Sequence, residues 1–195
     1  GQKISDVLCN GGSTGIARYT VTGFSAPGNY SVTITPAVPA ANVATVDDVI
    51  TLSNLASGTY NIAVVDNTTG CPANTNVVII QPTNPLALAI TGNIINANCF
   101  IATAKVTVNA SGGTTAGYSY AFMPAGTPPT PADYQALNSR NLNPATSLTW
   151  DVWAKDANGC TTSIPVTIAL DPVPTVTAPV PNQFPLSDKN LKFLV

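Results

Sequence analysis

The feature that most limits this chain is an internal repeat, because only a fold that can be built twice in a row is compatible with it. Cys9 and Cys99 lie 90 residues apart, and Cys71 and Cys160 lie 89 apart. Around the second pair the match is extended. Gly58-Thr-Tyr-Asn-Ile-Ala-Val-Val-Asp-Asn-Thr-Thr-Gly-Cys71 lies over Leu148-Thr-Trp-Asp-Val-Trp-Ala-Lys-Asp-Ala-Asn-Gly-Cys160, with one residue deleted in the turn. Tyr60 then falls on Trp150, Ile62 on Val152 and Asp66 on Asp156. Upstream, Tyr30 falls on Tyr120, and downstream Gln81-Pro82 falls on Asp171-Pro172. These markers divide the chain into two tandem modules, 1–84 and 85–172. Residues 173–195 are then a linker or the start of a third module.

Within each module apolar residues alternate, the period of a half-buried strand. Strands are expected at 17–22, 30–35, 49–52, 60–65, 77–80, 86–90, 104–109, 150–155 and 166–169. Turn sequences such as Asn10-Gly-Gly, Asn67-Thr-Thr-Gly and Asp156-Ala-Asn-Gly punctuate them. Composition agrees: the acidic residues are all Asp, and the straight-chain residues that favour helix are scarce. Short strands with turn signals at this spacing predict an all-β protein of two β-sandwich modules. One short helical turn is expected in Pro128-Pro-Thr-Pro-Ala-Asp-Tyr-Gln-Ala-Leu. The junctions Gln81-Pro-Thr-Asn-Pro85 and Asp171-Pro-Val-Pro174 each carry two prolines, which predicts short, semi-rigid linkers and an extended array.

Four cysteines allow three pairings. The repeat favours Cys9–Cys71 and Cys99–Cys160, because each module then closes on itself. Such bridges imply an oxidising place: periplasm, cell surface or medium. Zinc is disfavoured, since there is no C-x-x-C spacing and no His. The lack of His also excludes Ser-His-Asp and Cys-His catalysis. The Asp residues fall in turns or singly on strands, not as a pair across a cleft, so no catalytic residue, cofactor or enzyme activity is expected. With net charge −2 and seven scattered basic residues, no nucleic-acid footprint exists. The sequence holds no apolar run long enough to insert in a membrane.

Asp66 and Asp156 occupy matching places. One reading makes them calcium ligands alongside turn carbonyls. The favoured one makes each the opening residue of a β-turn, accepting backbone N–H bonds ahead of a Gly. Asn29, Asn67 and Asn109 begin N-x-S/T triplets, which chance explains in a chain so rich in Asn and Thr. Tyr30, Tyr60, Tyr120 and Trp150 are expected in the core. Strand alternation turns Trp153 outward, opposite to Trp150. It either lies flat on a neighbouring strand with Lys155 over its ring, or forms a contact surface for a glycan or a neighbouring module.

The combination of an early cysteine, a Tyr strand, Leu55-Ala-Ser-Gly-Thr-Tyr60, a strand, then Asp-x-x-x-Gly-Cys or Asp-Ala-Asn-Gly-Cys and a closing Gln-Pro or Asp-Pro resembles the SprB-type repeats of Bacteroidetes gliding-motility adhesins and related giant surface proteins. The resemblance covers residues 1–172. Module two departs from it at Asn143-Pro-Ala-Thr-Ser-Leu and in its longer loop at 124–147. It implies immunoglobulin-like sandwiches repeated in a filament exported by the type IX secretion system, serving reach, stiffness and display for adhesion or gliding. The partners implied are neighbouring repeat modules and a surface polysaccharide or solid substratum. A carbohydrate-binding module, or an accessory domain of a secreted enzyme, is the alternative.

Overall fold

The structure is a computed structural model in which residues 1–115 and 117–176 are described. It is all-β. The amino-terminal half holds β1 (Gln2–Ser5), β2 (Gly15–Thr20), β3 (Tyr30–Thr35), β4 (Val43–Val46), β5 (Val49–Leu55), β6 (Gly58–Asp66) and β7 (Pro72–Ile79). The carboxy-terminal half holds β8 (Ala87–Ile90), β9 (Ala104–Ser111), β10 (Ser119–Pro124), β11 (Ser139–Leu142), β12 (Thr149–Lys155) and β13 (Thr161–Thr167). Two single 3-10 turns, Ala40–Asn42 and Pro131–Asp133, are the helical segments among the described residues. The second falls in the Pro-rich stretch where a turn is expected, and Thr130 and Asp133 cap it reciprocally.

The strands form four antiparallel sheets, β1-β2-β5-β4 and β3-β6-β7 in the first half, and β11-β9-β8 and β10-β12-β13 in the second. Alternation decides which face each strand buries. In β12 Trp150, Val152 and Ala154 are buried, while Asp151, Trp153 and Lys155 are half-buried on the other side. Buried side chains gather in two clusters. One joins Ala17 and Tyr19, Ile50 and Leu52, Tyr60 and Ile62, and Val77 and Ile79, so that both sheets of the first half share one core. The other joins Val106 and Val108, Tyr120 and Phe122, Trp150 and Val152, and Val166 and Ile168. The register repeats as well, Tyr60 facing Val77 as Trp150 faces Val166. Pro72 and Pro165 stand on β7 and β13, outermost strands where a missing N–H breaks no ladder between two neighbours.

Three expectations are corrected. Tyr30 pairs with Asp66, whereas Tyr120 pairs with Ala154 and Ser119 with Lys155, so Tyr30 matches Tyr118 and not Tyr120. Tyr30 accordingly lies half-buried at the rim of its core, as Tyr118 does, while Tyr60, Tyr120 and Trp150 are buried. The strand expected at 166–169 runs instead over Thr161–Thr167, because its first residues pair with β12 despite their polar side chains. The hairpin of β4 and β5 holds one expected strand, 49–52 within β5, and one with no counterpart among the expected strands, β4. Its two-residue turn is Asp47-Asp48, both at positive φ, the geometry a type I′ turn demands. Of the stretch 173–195, residues 177–195 lie outside the described residues.

Candidate functional site: the aspartate turns and the junction cysteines

Asp66 ends β6 and Asp156 follows β12, and each organises the turn after it through backbone donors. The Asp66 N–H donates to the Cys71 carbonyl at 3.1 Å, and the Asp156 N–H to the Cys160 carbonyl at 3.0 Å. Gly70 and Gly159 close the two turns at positive φ and donate back to the aspartate carbonyls. Oδ1 of Asp66 accepts the N–H groups of Thr68 and Thr69, and Oδ1 of Asp156 those of Asn158 and Cys160. The other oxygen reaches a distant loop. Ser25 donates its N–H to Asp66 Oδ2 at 2.6 Å, and Thr114 donates its own to Asp156 Oδ2 at 2.9 Å. Ser25 and Thr114 are 89 residues apart, the spacing of the late cysteines. That offset is a signal that sequence reading passed over.

These carboxylates are therefore surrounded by donors, the coordination of an anion. A calcium shell needs six to eight oxygen lone pairs turned inward, so the turn role of Asp66 and Asp156 is the one this geometry supports. The Ser25 N–H is the largest cause holding the Asp66 carboxyl down at about 2, ahead of the Thr69 N–H.

The cysteines pair across the halves. Cys9 is bonded to Cys160, closing 151 residues, and Cys71 and Cys99 are free and exposed. The expected pairs Cys9–Cys71 and Cys99–Cys160 are thus corrected, and strand geometry gives the reason. Cys71 stands just before β7, while Cys9 sits beyond its far end, where Val7 bonds to Ile80, Gly11 to Gln81 and Asn10 to Pro82. A strand of eight residues rises about 26 Å, and a disulfide needs Cα atoms within about 7 Å. Cys160 and Cys99 are separated in the same way by β13, since Ala97 bonds to Ala169 and to Asp171. What Cys9 does meet is the Asp156 turn of the other half. There the Asn158 side chain donates to the Leu8 carbonyl at 3.1 Å, beside the disulfide. The linker covers the same end, with the Gly113 N–H donating to the Asn84 carbonyl. Gly112 lies so close under Pro85 that a Cβ there would collide with the Pro85 carbonyl.

The corresponding end of the first half is open. A cavity of about 350 Å³ lies there beside Cys71, lined by Val21, Phe24, Tyr30, Val64, Asp66 and their neighbours. Val21 and Val64 are half-exposed where their counterparts Ala110 and Ala154 are buried.

Trp153 faces away from the core, as alternation requires, but its indole N–H is enclosed and, among the described residues, without a partner. Lys155 does not cover it: the ammonium stands 4.2 Å from the ring centre of Tyr134 instead.

No family model and no curated protein matches this chain. Among solved structures it is similar to a chimeric titin Z1Z2-Z1Z2 tandem functionalised with a GRGDS peptide from fibronectin, with 14% identity and a TM-score of 0.33 over 88% of this chain and 97% of that one. It is also similar to Sidekick-1 immunoglobulin domains 1–4, with 13% identity and a TM-score of 0.30 over 80% of this chain and 46% of that one.

Proposed function

We propose that the chain is a pair of tandem immunoglobulin-like modules from a secreted cell-surface adhesin filament, with no catalytic role, supplying reach, stiffness and display. The Cys9–Cys160 bridge is the observation that most supports this. Tension applied at the two ends of the chain enters through the first residues, crosses the bridge, and leaves after residue 160. The 150 residues between are shielded from the pull while the bridge holds, and β1 and β13 are the strands that lie outside it. A binding domain gains nothing from such a device, whereas a stalk under drag does. Two halves with matching cores and a linker rich in Pro favour repetition along one axis. The partners of such a stalk are further repeats, and beyond them a surface polysaccharide or a solid substratum. The enclosed indole N–H of Trp153 weighs against the carbohydrate-binding alternative, since a sugar-stacking Trp presents an accessible polar edge.

The test is to pull single molecules by their termini. Under oxidising conditions no unfolding step from the bridged segment should be seen; added reductant should restore one step for each half. Full-length unfolding without reductant would overturn the mechanical role. Small-angle scattering should give an elongated envelope, and a near-spherical one would overturn the array.

A further inference from the structure

The two halves differ in chemistry on one side of the sandwich, between the outermost strands β10 and β11. Pairing register shows how. Val106 of β9 faces Arg140, whereas Ala17, 89 residues earlier, faces Leu52. Arg140 therefore stands where the first half puts a leucine of its core. It shares the core-facing side of β11 with buried Leu142, yet Arg140 itself is exposed. Across the gap, Tyr120 and Phe122 face Ala154 and Val152, as Val32 and Ile34 face Val64 and Ile62. Two aromatic rings thus replace two aliphatic chains.

Tyr120, Phe122 and Arg140 border a cavity of about 260 Å³, with Gln135, Leu137 and their neighbours on its other walls. Tyr19, Tyr60 and Tyr118 each donate a hydroxyl hydrogen to a backbone carbonyl. Tyr120 is only 6% exposed, and its hydroxyl has no such partner among the described residues. A polar group on a side chain so buried costs stability unless a ligand or water bonds to it. The strand edge adds two more groups. The Tyr120 N–H donates to the Gln135 carbonyl at 2.7 Å, and the Gln135 N–H to the Tyr120 carbonyl at 2.9 Å. By strand alternation Phe122 turns its own N–H and C=O to the same edge. Arg140 makes no ion pair among the described residues. Asp133 feels its charge, but the Asp133 carboxyl is lowered first by Thr130, which donates both its hydroxyl and its N–H to Oδ2.

One wall belongs to the longer loop by which the second half departs from the first, and this loop is pinned along its length. The Gly126 N–H donates to Asp151 Oδ2 at 2.8 Å, and the Lys155 ammonium stands over Tyr134. The Asn138 carbonyl accepts the Val108 N–H, and the Asn138 side chain donates to the Val108 carbonyl, both at 2.9 Å. A ligand thus meets a site formed in advance, with little left to order on binding. A peptide has no room to add as a strand. Gln135 occupies the β10 edge at Tyr120, and the Thr127 N–H takes the Pro124 carbonyl, so Phe122 alone is free between them. The volume lies just under the range of about 300–1,000 Å³ for drug-sized ligands, enough for one six-membered ring with its substituents.

We infer that this cavity receives one carboxylated ring of an acidic polysaccharide, a hexuronate unit, with its carboxylate on the Arg140 guanidinium. Its hydroxyls meet the Tyr120 hydroxyl, the Phe122 backbone and the Gln135 amide. This rests on the reading of a surface polysaccharide as a partner of the stalk, and adds to it the class of sugar and the place of contact. The planar fork of an arginine matches a carboxylate through two parallel hydrogen bonds, which a neutral sugar leaves unmade. Groups that both donate and accept suit the adjacent hydroxyls of a sugar. Leu137, 72% exposed at the rim, offers apolar surface to the C–H face of the ring. Trp153 lies on the opposite face of the sheet and takes no part.

The test is calorimetric titration of the full chain with trigalacturonate, with its methyl ester, and with acetate. Trigalacturonate should bind, and the ester about tenfold more weakly, since it lacks the charge. Arg140→Leu, which restores the residue type of the matching position, should lose about tenfold in affinity while the melting temperature holds or rises. Tyr120→Phe, which removes only the hydroxyl, should lose about fivefold. No binding, equal binding of acid and ester, or an affinity that neither substitution moves would overturn the site. Acetate bound as tightly as the trisaccharide would overturn the assignment to a sugar. No binding by a chain that scattering shows to be elongated would overturn this site alone. Binding of trigalacturonate by a compact chain would instead overturn the stalk reading.

Discussion

The Asp66 turn and the Asp156 turn have the same build and different fates. Each carboxylate gathers backbone donors from its own turn and one from a loop some forty residues upstream. Each is followed by a cysteine, yet Cys160 is bonded and buried while Cys71 is free and exposed. The difference lies outside the turn. Cys9 and Leu8 reach the second turn from the other half, while Asn84 and Pro85 meet Gly113 and Gly112 in the loop beside it. Each half thus makes its turn locally, and the cysteine of the second turn is the one bonded from the other half.

The comparison is broken most severely in the core. Trp150→Ala should destabilise the second half by about 3–5 kcal/mol, since it removes a buried ring and the indole N–H bond to the Ser147 carbonyl. Tyr60→Ala should do the same to the first half, where the hydroxyl bonds to the Ala56 carbonyl. Hydrogen exchange should show each loss confined to its own half; a loss spread equally over both would mean one cooperative unit.

Next comes the bridge. Cys160→Ser should cost about 2–4 kcal/mol, and Cys71→Ser should leave the melting temperature in place. Equal effects from the two would erase the distinction between the turns.

Acid sharpens it further. The Asp66 carboxyl lies at about 2 when folded, against an ordinary value of 3.8, chiefly because the Ser25 N–H donates to it. A depressed value means that its stabilisation is full above about pH 4 and is lost as pH falls toward about 2. The difference in melting temperature between the native protein and Asp66→Asn should therefore shrink across that window. A difference that stays constant from neutral pH down would contradict the donor cradle.

The smallest effect should be at Trp153, whose counterpart in the first half is Ala63. Trp153→Ala should cost about 1 kcal/mol for the half-buried ring, measurable by chemical denaturation. A cost matching that of Trp150→Ala would place the ring in the core.

Much of this was legible because strand signals are local. Alternation placed Trp150 and Trp153 on opposite faces, and the matched Tyr60 and Trp150 proved to share a register as well as a position. The misreadings come from contacts between distant residues. Residue type sets Tyr30 on Tyr120, but pairing across to Asp66 shows that it belongs with Tyr118, two residues earlier. The β4–β5 turn was hidden because Asp47-Asp48 lacks the glycine that usually marks positive φ. The cysteine pairing failed for a geometric reason. Nothing near Cys9 reveals that β1 delivers it to the far end of β7, a strand's length from Cys71.

The central claim is that the Cys9–Cys160 disulfide joins the two halves and that neither half closes on itself through its own two cysteines. Peptide mapping of the unreduced, freshly alkylated protein tests it most directly. The account predicts one bridge, Cys9–Cys160, with alkylated thiols at Cys71 and Cys99. Recovery of Cys9–Cys71 together with Cys99–Cys160 would contradict it.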